Sequence, residues 1–211
     1  MGSRPEEGYN LLVAGIGREP AGAQLTPAPS DDARLVGSAR EGDRAAFGRL
    51  YDRYARMVHG VLLAKVPVDQ VDDLVQDVFL LALRRLRTLR ELGSFGAWLA
   101  AIARNRARDY HRRSPPAEHV SVDGTDNEIE IPAANPDPDR LAGTVLDAIR
   151  SLPDAYREPL ILRLVEGMTG PEIAARTGLK PGSVRVNLHR GMEQLRAKLN
   201  SANRGPAEER P

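Results

Sequence analysis

The chain has 211 residues, with 30 lysines and arginines against 29 aspartates and glutamates, and it contains no cysteine. The missing thiols exclude disulfides, thiolate metal sites and cysteine nucleophiles, and no apolar run reaches the roughly 20 residues of a membrane span. Aromatic residues make up 4% of the chain, so the core must consist of Leu, Val, Ile and Ala. We therefore expect a soluble, cytoplasmic, helical protein.

The net charge of +1 hides four segments of different charge. Residues 1–33 carry −3, residues 34–113 carry +7, residues 114–140 carry −6 and residues 141–211 carry +3. Two basic blocks separated by an acidic one favour binding to a polyanion, although solvated helix faces produce the same pattern. The first segment, rich in Pro, Gly and Ala, is expected to be a mobile extension. The acidic segment, with five prolines, is expected to be a flexible linker.

The first basic block shows the spacing of three amphipathic helices. Asp43 is a plausible N-cap for the first, which should end before Pro67. The second is expected from about Asp69 to Leu86 and the third from about Phe95 to Arg113. Four polar side chains gather on one face of the third helix and could reach phosphates and base edges, namely Arg104, Asn105, Arg108 and Arg112.

The second basic block carries the spacing of a helix-turn-helix. The segment Thr169–Glu172 forms a capping box, and Ala174, Gly178 and Val184 supply the small, turn-forming and apolar positions that let two helices pack closely. The exposed start of the second helix would then enter the major groove. An ordinary helical hairpin remains the alternative.

These segments closely resemble the extracytoplasmic-function sigma factors of the sigma-70 family. The stretches REGDRAAFGRLYDRYARMVHGV, DDLVQDVFLLALRRL and FGAWLAAIARNRARDYHRR resemble region 2, and IRSLPDAYREPLILRLVEGMTGPEIAARTGLKPGSVRVNLHRGMEQLRAKL resembles region 4. The resemblance implies an all-α fold with two small helical domains at 34–113 and 141–199. They would flank the flexible linker at 114–140, with the extension at 1–33 and a C-terminal tail at 200–211.

The resemblance also implies three functional surfaces. A docking surface for the clamp helices of the polymerase largest subunit would fall on Asp73, Leu74, Gln76, Asp77 and Phe79, of which the exposed members would make contact. The −10 element would be bound by Arg104, Asn105, Arg108 and Arg112, with promoter melting at about Arg87–Ser94. The −35 element would be bound by Lys180, Ser183, Arg185, Val186, His189 and Arg190.

Some positions depart from the family pattern. Relatives often have basic residues where Asn187 and Met192 stand, so phosphate contacts are thinner here or the promoter preference differs. The melting loop also lacks the aromatic or Gly-Asp-rich character of many relatives.

The expected function is promoter-specific transcription initiation, with core RNA polymerase (clamp helices and flap), promoter DNA and an anti-sigma factor as partners. We expect no cofactor, no metal, no membrane insertion and no catalytic site, because neither a metal-ligand spacing nor a nucleophile arrangement occurs. A conventional repressor or activator would bind DNA without polymerase, and a sigma mimic would lack the basic residues. Both remain alternatives.

Overall fold

The computed structural model describes residues 29–113 and 138–202, and these two ranges contain helices and no strand. The expected all-α class is confirmed. The α-helices are α1 (Pro29–Arg40), α2 (Arg44–Leu63), α3 (Val71–Arg85), α4 (Phe95–Arg113), α5 (Pro138–Arg150), α6 (Asp154–Leu164), α7 (Gly170–Thr177) and α8 (Pro181–Ala202). Short 3₁₀ turns occur at Val68–Gln70, Leu86–Thr88 and Leu92–Ser94.

The ends of the domains differ from those expected from composition. Helix α1 begins at Pro29, before the expected boundary at residue 33, because the carboxylates of Asp31 and Asp32 accept hydrogen bonds from Arg53 on α2. Helix α5 begins at Pro138, within the expected linker. The rest of the N-terminal extension and of the linker, and the tail beyond Ala202, lie outside the described residues.

Helix α2 is the centre of the first domain, with α1, α3 and α4 packed around it. It begins where the Asp43 side chain accepts hydrogen bonds from the backbone N–H groups of Ala45 and Ala46, at 2.8 and 3.0 Å. Leu50 and Phe95 are fully buried in this core. Each such side chain contributes about 1.5–3 kcal/mol through its removal from water.

The second domain has the local geometry predicted from its sequence. The Thr169 hydroxyl accepts a hydrogen bond from the Glu172 N–H at 3.3 Å, and the Glu172 carboxylate accepts one from the Thr169 N–H at 2.8 Å. Gly178 ends α7 with φ of +73°, the left-handed conformation that glycine adopts without strain. Ala174 and Val184 are buried where α7 meets α8. The predicted helix-turn-helix is therefore confirmed.

The two domains pack directly against each other, α2 against α6 and α7, and α4 against α7. A Cβ atom on Gly60 would lie 2.7 Å from Leu162 Cδ2 and 2.8 Å from Glu166 Cγ, and one on Gly178 would lie 2.6 Å from Ala97 Cβ. Real Cβ atoms do not approach this closely, so at these two glycines side chains of one domain pack directly on the backbone of the other.

Ion pairs cross the same interface. The carboxylates that are buried in the described part of the chain are Glu158 and Glu166, both in the second domain. Arg104 on α4 donates to Glu158, and His59 Nδ1 on α2 lies 2.6 Å from Glu166 Oε1. A buried carboxylate is costly unless it is paired, so each of these acids depends on a cation from the other domain.

The His59–Glu166 pair makes stability depend on pH. The hydrogen bond to Glu166 is the largest cause that raises the pKa of His59; burial opposes it, and the negative charges of Glu166 and Asp72 add to it. Arg56, which also lies 3.7 Å from Glu166, is the cation beside the pair. The pKa of His59 is higher in the folded protein than in the unfolded chain, where it is 6.5. The pair's contribution to the free energy of unfolding is therefore complete below pH 6.5 and is lost as the pH rises through the folded-state pKa.

We therefore expect the difference in free energy of unfolding between wild type and His59→Gln to shrink from about pH 6 to about pH 9. Chemical denaturation at several pH values measures it. Val186→Gln, at an exposed position on α8 without a titratable group, is the control and should show no such trend. A wild-type advantage over His59→Gln that stays constant across this range would contradict the assignment.

Candidate nucleic-acid interface

The first half of helix α8, with the turn before it, presents the six side chains predicted for the −35 element. All six are exposed: Lys180, Ser183, Arg185, Val186, His189 and Arg190. Val184, which points the other way, is 1% exposed and anchors α8 in the domain. Buried and exposed positions alternate with the helical period, so the structure brings these side chains together on one accessible face.

The charge of this face is available for a ligand. Within the described ranges, neither Arg185 nor Arg190 forms an ion pair, and His189 approaches Glu193 at 3.4 Å. Cationic side chains without acidic partners at the start of a recognition helix are suited to base edges and phosphates.

Three of the four side chains predicted for the −10 element lie together on α4. Asn105, Arg108 and Arg112 are exposed, and the Arg108 guanidinium donates to the Asn105 side-chain oxygen while Arg112 pairs with Asp109. They line an open groove of about 590 Å³ between α3 and α4. The basic residue Arg85 also lines this groove, and the sequence analysis did not single it out.

Arg104 is separated from that group. Its guanidinium points to the second domain, where Nη2 donates to Glu158 Oε1 at 2.6 Å and Nε donates to Oε2 at 3.1 Å. The fourth predicted −10 residue is therefore held by α6 in this conformation.

The predicted docking residues on α3 differ in how far their side chains are exposed. Asp73 and Gln76 are exposed, Leu74 is half-buried, and the half-buried Asp77 pairs with Arg106 of α4.

Phe79 lies in the core, 4% exposed, with its ring 4.5 Å from that of Tyr51. A buried ring offers no surface to a partner, so a docking role for Phe79 is not supported. The ring instead holds α3 against α2.

Two leucines that the sequence analysis left unassigned extend the exposed face of α3. Leu80 and Leu83 are 52% and 48% exposed, and they follow Asp73 and Gln76 at helical spacing. Exposed apolar side chains that continue a polar helix face are typical of a contact surface. The signal in the sequence was an excess of leucines on α3 beyond the positions that a single buried stripe needs.

The predicted melting loop, Arg87–Ser94, is tied to α1. The Arg40 guanidinium donates to the carbonyl oxygens of Leu86, Arg87 and Leu89 at 3.2, 2.8 and 2.6 Å. Leu89 is buried, while Arg87 and Arg90 are exposed. Helix α1 thus fixes the backbone of the loop and leaves its two cations accessible.

Other classes of site find no support in the part of the chain that the structure describes. There, no three His, Cys, Asp or Glu side chains come close enough together to hold a metal ion. None of the helices in residues 29–113 and 138–202 combines the length and apolar character needed to cross a membrane.

Comparison with known proteins agrees with this architecture. The family described as Sigma-70 region 2 matches residues 50–114, and the one described as Sigma-70, region 4 matches residues 142–195. The ECF RNA polymerase sigma-E factor of Haemophilus influenzae is 30% identical over 179 residues, covering 80% of this chain and 95% of that protein. RNA polymerase sigma factor CarQ of Myxococcus xanthus is 36% identical over 164 residues, covering 76% and 92%.

A solved structure is also similar. CnrH in complex with the cytosolic domain of CnrY has a TM-score of 0.57 and 28% identity, and the match covers 81% of this chain and 98% of that one. Both regions match in the same order as the two helical domains, and the relatives are covered over nearly their whole length. The chain therefore belongs to the ECF sigma factors of the sigma-70 family, which direct RNA polymerase to promoters.

Proposed function

We propose that this sigma factor initiates transcription in the cytoplasm by placing three separate surfaces on polymerase and promoter, without catalytic chemistry of its own. The observation that carries the proposal is the exposed basic face of α8, whose Arg185 and Arg190 form no ion pair within the described ranges. This face is joined in one chain to a region 2 domain whose α4 is also basic. The first surface would bind the −35 element, the second the −10 element and the third the polymerase.

The −35 element is assigned to α8. Arg185 or Arg190 would bind guanine through two hydrogen bonds, a contact worth about 1–3 kcal/mol of discrimination. Lys180, in the turn before the helix, would neutralise a phosphate. The exposure of all three side chains supports these two roles, the contact with guanine and the contact with phosphate.

The −10 element is assigned to the groove beside α4, where Asn105, Arg108 and Arg112 would contact DNA. The adjoining loop Arg87–Ser94 would hold a base of the non-template strand out of the stack. Extruding a base costs a few kcal/mol, so a loop whose backbone is already fixed by Arg40 is suited to the task.

Docking on the polymerase clamp helices is assigned to the exposed face of α3. Asp73 and Gln76 would supply polar contacts, and Leu80 and Leu83 would add apolar area beside them. The flap would be contacted by the second domain.

We also propose regulation by an anti-sigma protein. The structure of CnrH was solved with the cytosolic domain of CnrY, and the similarity to this chain supports a partner of that kind.

Promoter-dependent transcription with purified core polymerase tests the proposal. Wild-type protein should yield specific transcripts from a pool of genomic fragments. Arg190→Ala should lower transcription from promoters that depend on the −35 element by roughly tenfold, the factor for a lost contact of about 1.4 kcal/mol. Arg196→Ala removes the same charge from an exposed position further along α8 and should have little effect.

Core binding, measured separately by fluorescence anisotropy, should be the same for wild type and Arg190→Ala. The assignment of α8 would be wrong if core binding collapsed in that variant. A complete lack of promoter-dependent transcripts with wild-type protein would count against the function itself.

A second prediction concerns α3. Because Leu80 and Leu83 are already exposed, Leu80→Gln and Leu83→Gln should leave the fold intact and weaken binding to core polymerase by several-fold, through the loss of apolar contact area. Val68→Gln, at a position 57% exposed in the turn before α3, is the matched control and should bind normally. Equal affinity of all three variants for core would exclude this face as the docking surface.

A further inference from the structure

We propose that Arg40 of α1 is a positioning residue for promoter melting, which holds the loop Arg87–Ser94 in the conformation that captures the non-template strand. This inference rests on the proposed function, since it takes that loop as the element that binds the extruded base. Arg40 would act through the loop and would not itself touch DNA. It lies outside residues 50–114, the part of the chain that matches Sigma-70 region 2.

Contacts from α1 reach both ends of the loop. Arg40 Nε donates to the Leu86 carbonyl oxygen at 3.2 Å, and Nη2 donates to those of Arg87 and Leu89 at 2.8 and 2.6 Å. At the other end, α1 packs against the 3₁₀ turn Leu92–Ser94. Because a guanidinium is planar and carries its donors in a fixed fork, one side chain sets the positions of three carbonyl groups.

Hydrogen bonds within the loop do not replace those from Arg40. The Leu89 N–H donates to the Leu86 carbonyl oxygen at 3.3 Å and closes one turn. Among the residues that the structure describes, no backbone N–H donates to the carbonyl oxygen of Leu89. Loss of the Arg40 guanidinium would leave this carbonyl without its donor, and a backbone group that loses its partner favours conformations in which it meets water.

Helix α1 is itself held on α2, so the position of Arg40 is defined. Arg53 Nη2 donates to Asp31 Oδ2 at 2.7 Å, and the Tyr54 hydroxyl donates to Asp32 Oδ2 at 2.5 Å. Both donors lie on α2 and both acceptors on α1. A continuous set of contacts therefore runs from α2 through α1 to the loop.

The backbone held by Arg40 presents two cations to solvent. Arg87 and Arg90 are exposed, and Leu89 between them is buried. Cations at set positions bind the phosphates of a single strand without further ordering of the protein. A loop that becomes ordered only when DNA binds loses chain entropy at that step, which weakens binding. Arg40 therefore strengthens capture of the strand by ordering the loop in advance.

The order of the loop can be measured in the free protein by hydrogen exchange. Arg40→Met removes the donors and keeps a long aliphatic side chain. It should raise the exchange rates of the Leu89 and Ser94 amides roughly tenfold, the factor that corresponds to ordering about one residue of chain. Rates in α8 should not change, because the effect is local.

Arg34→Met is the matched control on the same helix. It removes the same charge from an exposed side chain, whose guanidinium pairs with Asp31 and makes no contact with the loop within the described ranges. Exchange in the loop should stay at the wild-type rates in this variant. Should Arg40→Met fail to fold, Arg40→Lys takes its place with the same expectations, since its single nitrogen replaces the Nε and Nη2 that now bind three carbonyls.

The consequence for DNA can be separated by the kind of DNA that holoenzyme binds. The probes are fluorescent single-stranded oligonucleotides that tile the non-template strand of the promoter fragments that give transcripts. Holoenzyme with Arg40→Met should bind the best of these oligonucleotides roughly tenfold more weakly than wild type, and Arg34→Met should bind it normally. Both variants should match wild type in affinity for core polymerase and for a duplex that carries the −35 element alone.

The outcomes separate this inference from the proposed function. Unchanged loop exchange in Arg40→Met would overturn the inference, and so would wild-type affinity of that variant for the single strand. An equal loss of affinity for the single strand, the duplex and core polymerase would show a general structural role and would overturn it too. Hydrogen exchange needs no promoter or polymerase, so it would still report loop order if wild-type protein gave no transcripts. Transcripts combined with unchanged loop exchange would reject the role of Arg40 alone.

Discussion

The packing of both domains on helix α2 is the constraint on which the rest of the structure depends. α1, α3 and α4 pack against part of its surface, and α6 and α7 pack against another part. Its buried apolar residues form the core of the first domain, while Gly60 allows the second domain to approach within contact of the backbone. The position of every proposed binding surface relative to the others follows from this arrangement.

The packing of the two domains also pairs oppositely charged side chains. The first domain carries most of the positive charge, and the buried acids Glu158 and Glu166 of the second domain each meet cations from it. These pairs satisfy carboxylates that would otherwise be costly to bury. The faces that turn outward, on α8 and beside the α4 groove, stay basic. A nearly neutral chain can therefore present two basic surfaces to DNA.

Much of the candidate site could be predicted because its determinants are local. The capping box at Thr169 and the turn at Gly178 require only neighbouring residues, and the six side chains predicted from them are exposed on α8. Their binding to the −35 element stays a prediction. The assignment on α3 was less successful. Apolar residues occupy more than one face of that helix, and helical spacing alone does not show that Phe79 is buried while Leu80 and Leu83 are exposed. Phe79 is buried where α3 packs on α2, against the rings of Phe47 and Tyr51.

The sequence alone determined the all-α class, the order of the two domains, the helix-turn-helix and the family, because periodicity, caps and turns are encoded within a few residues of each other. Only the tertiary structure decided that Arg104 faces Glu158, that Arg40 holds the Arg87–Ser94 loop and that α1 begins at Pro29. These are contacts between residues tens of positions apart. Spacing along one helix places a cation on a face, but the approach of another element decides whether that cation meets solvent, a carbonyl oxygen or a carboxylate.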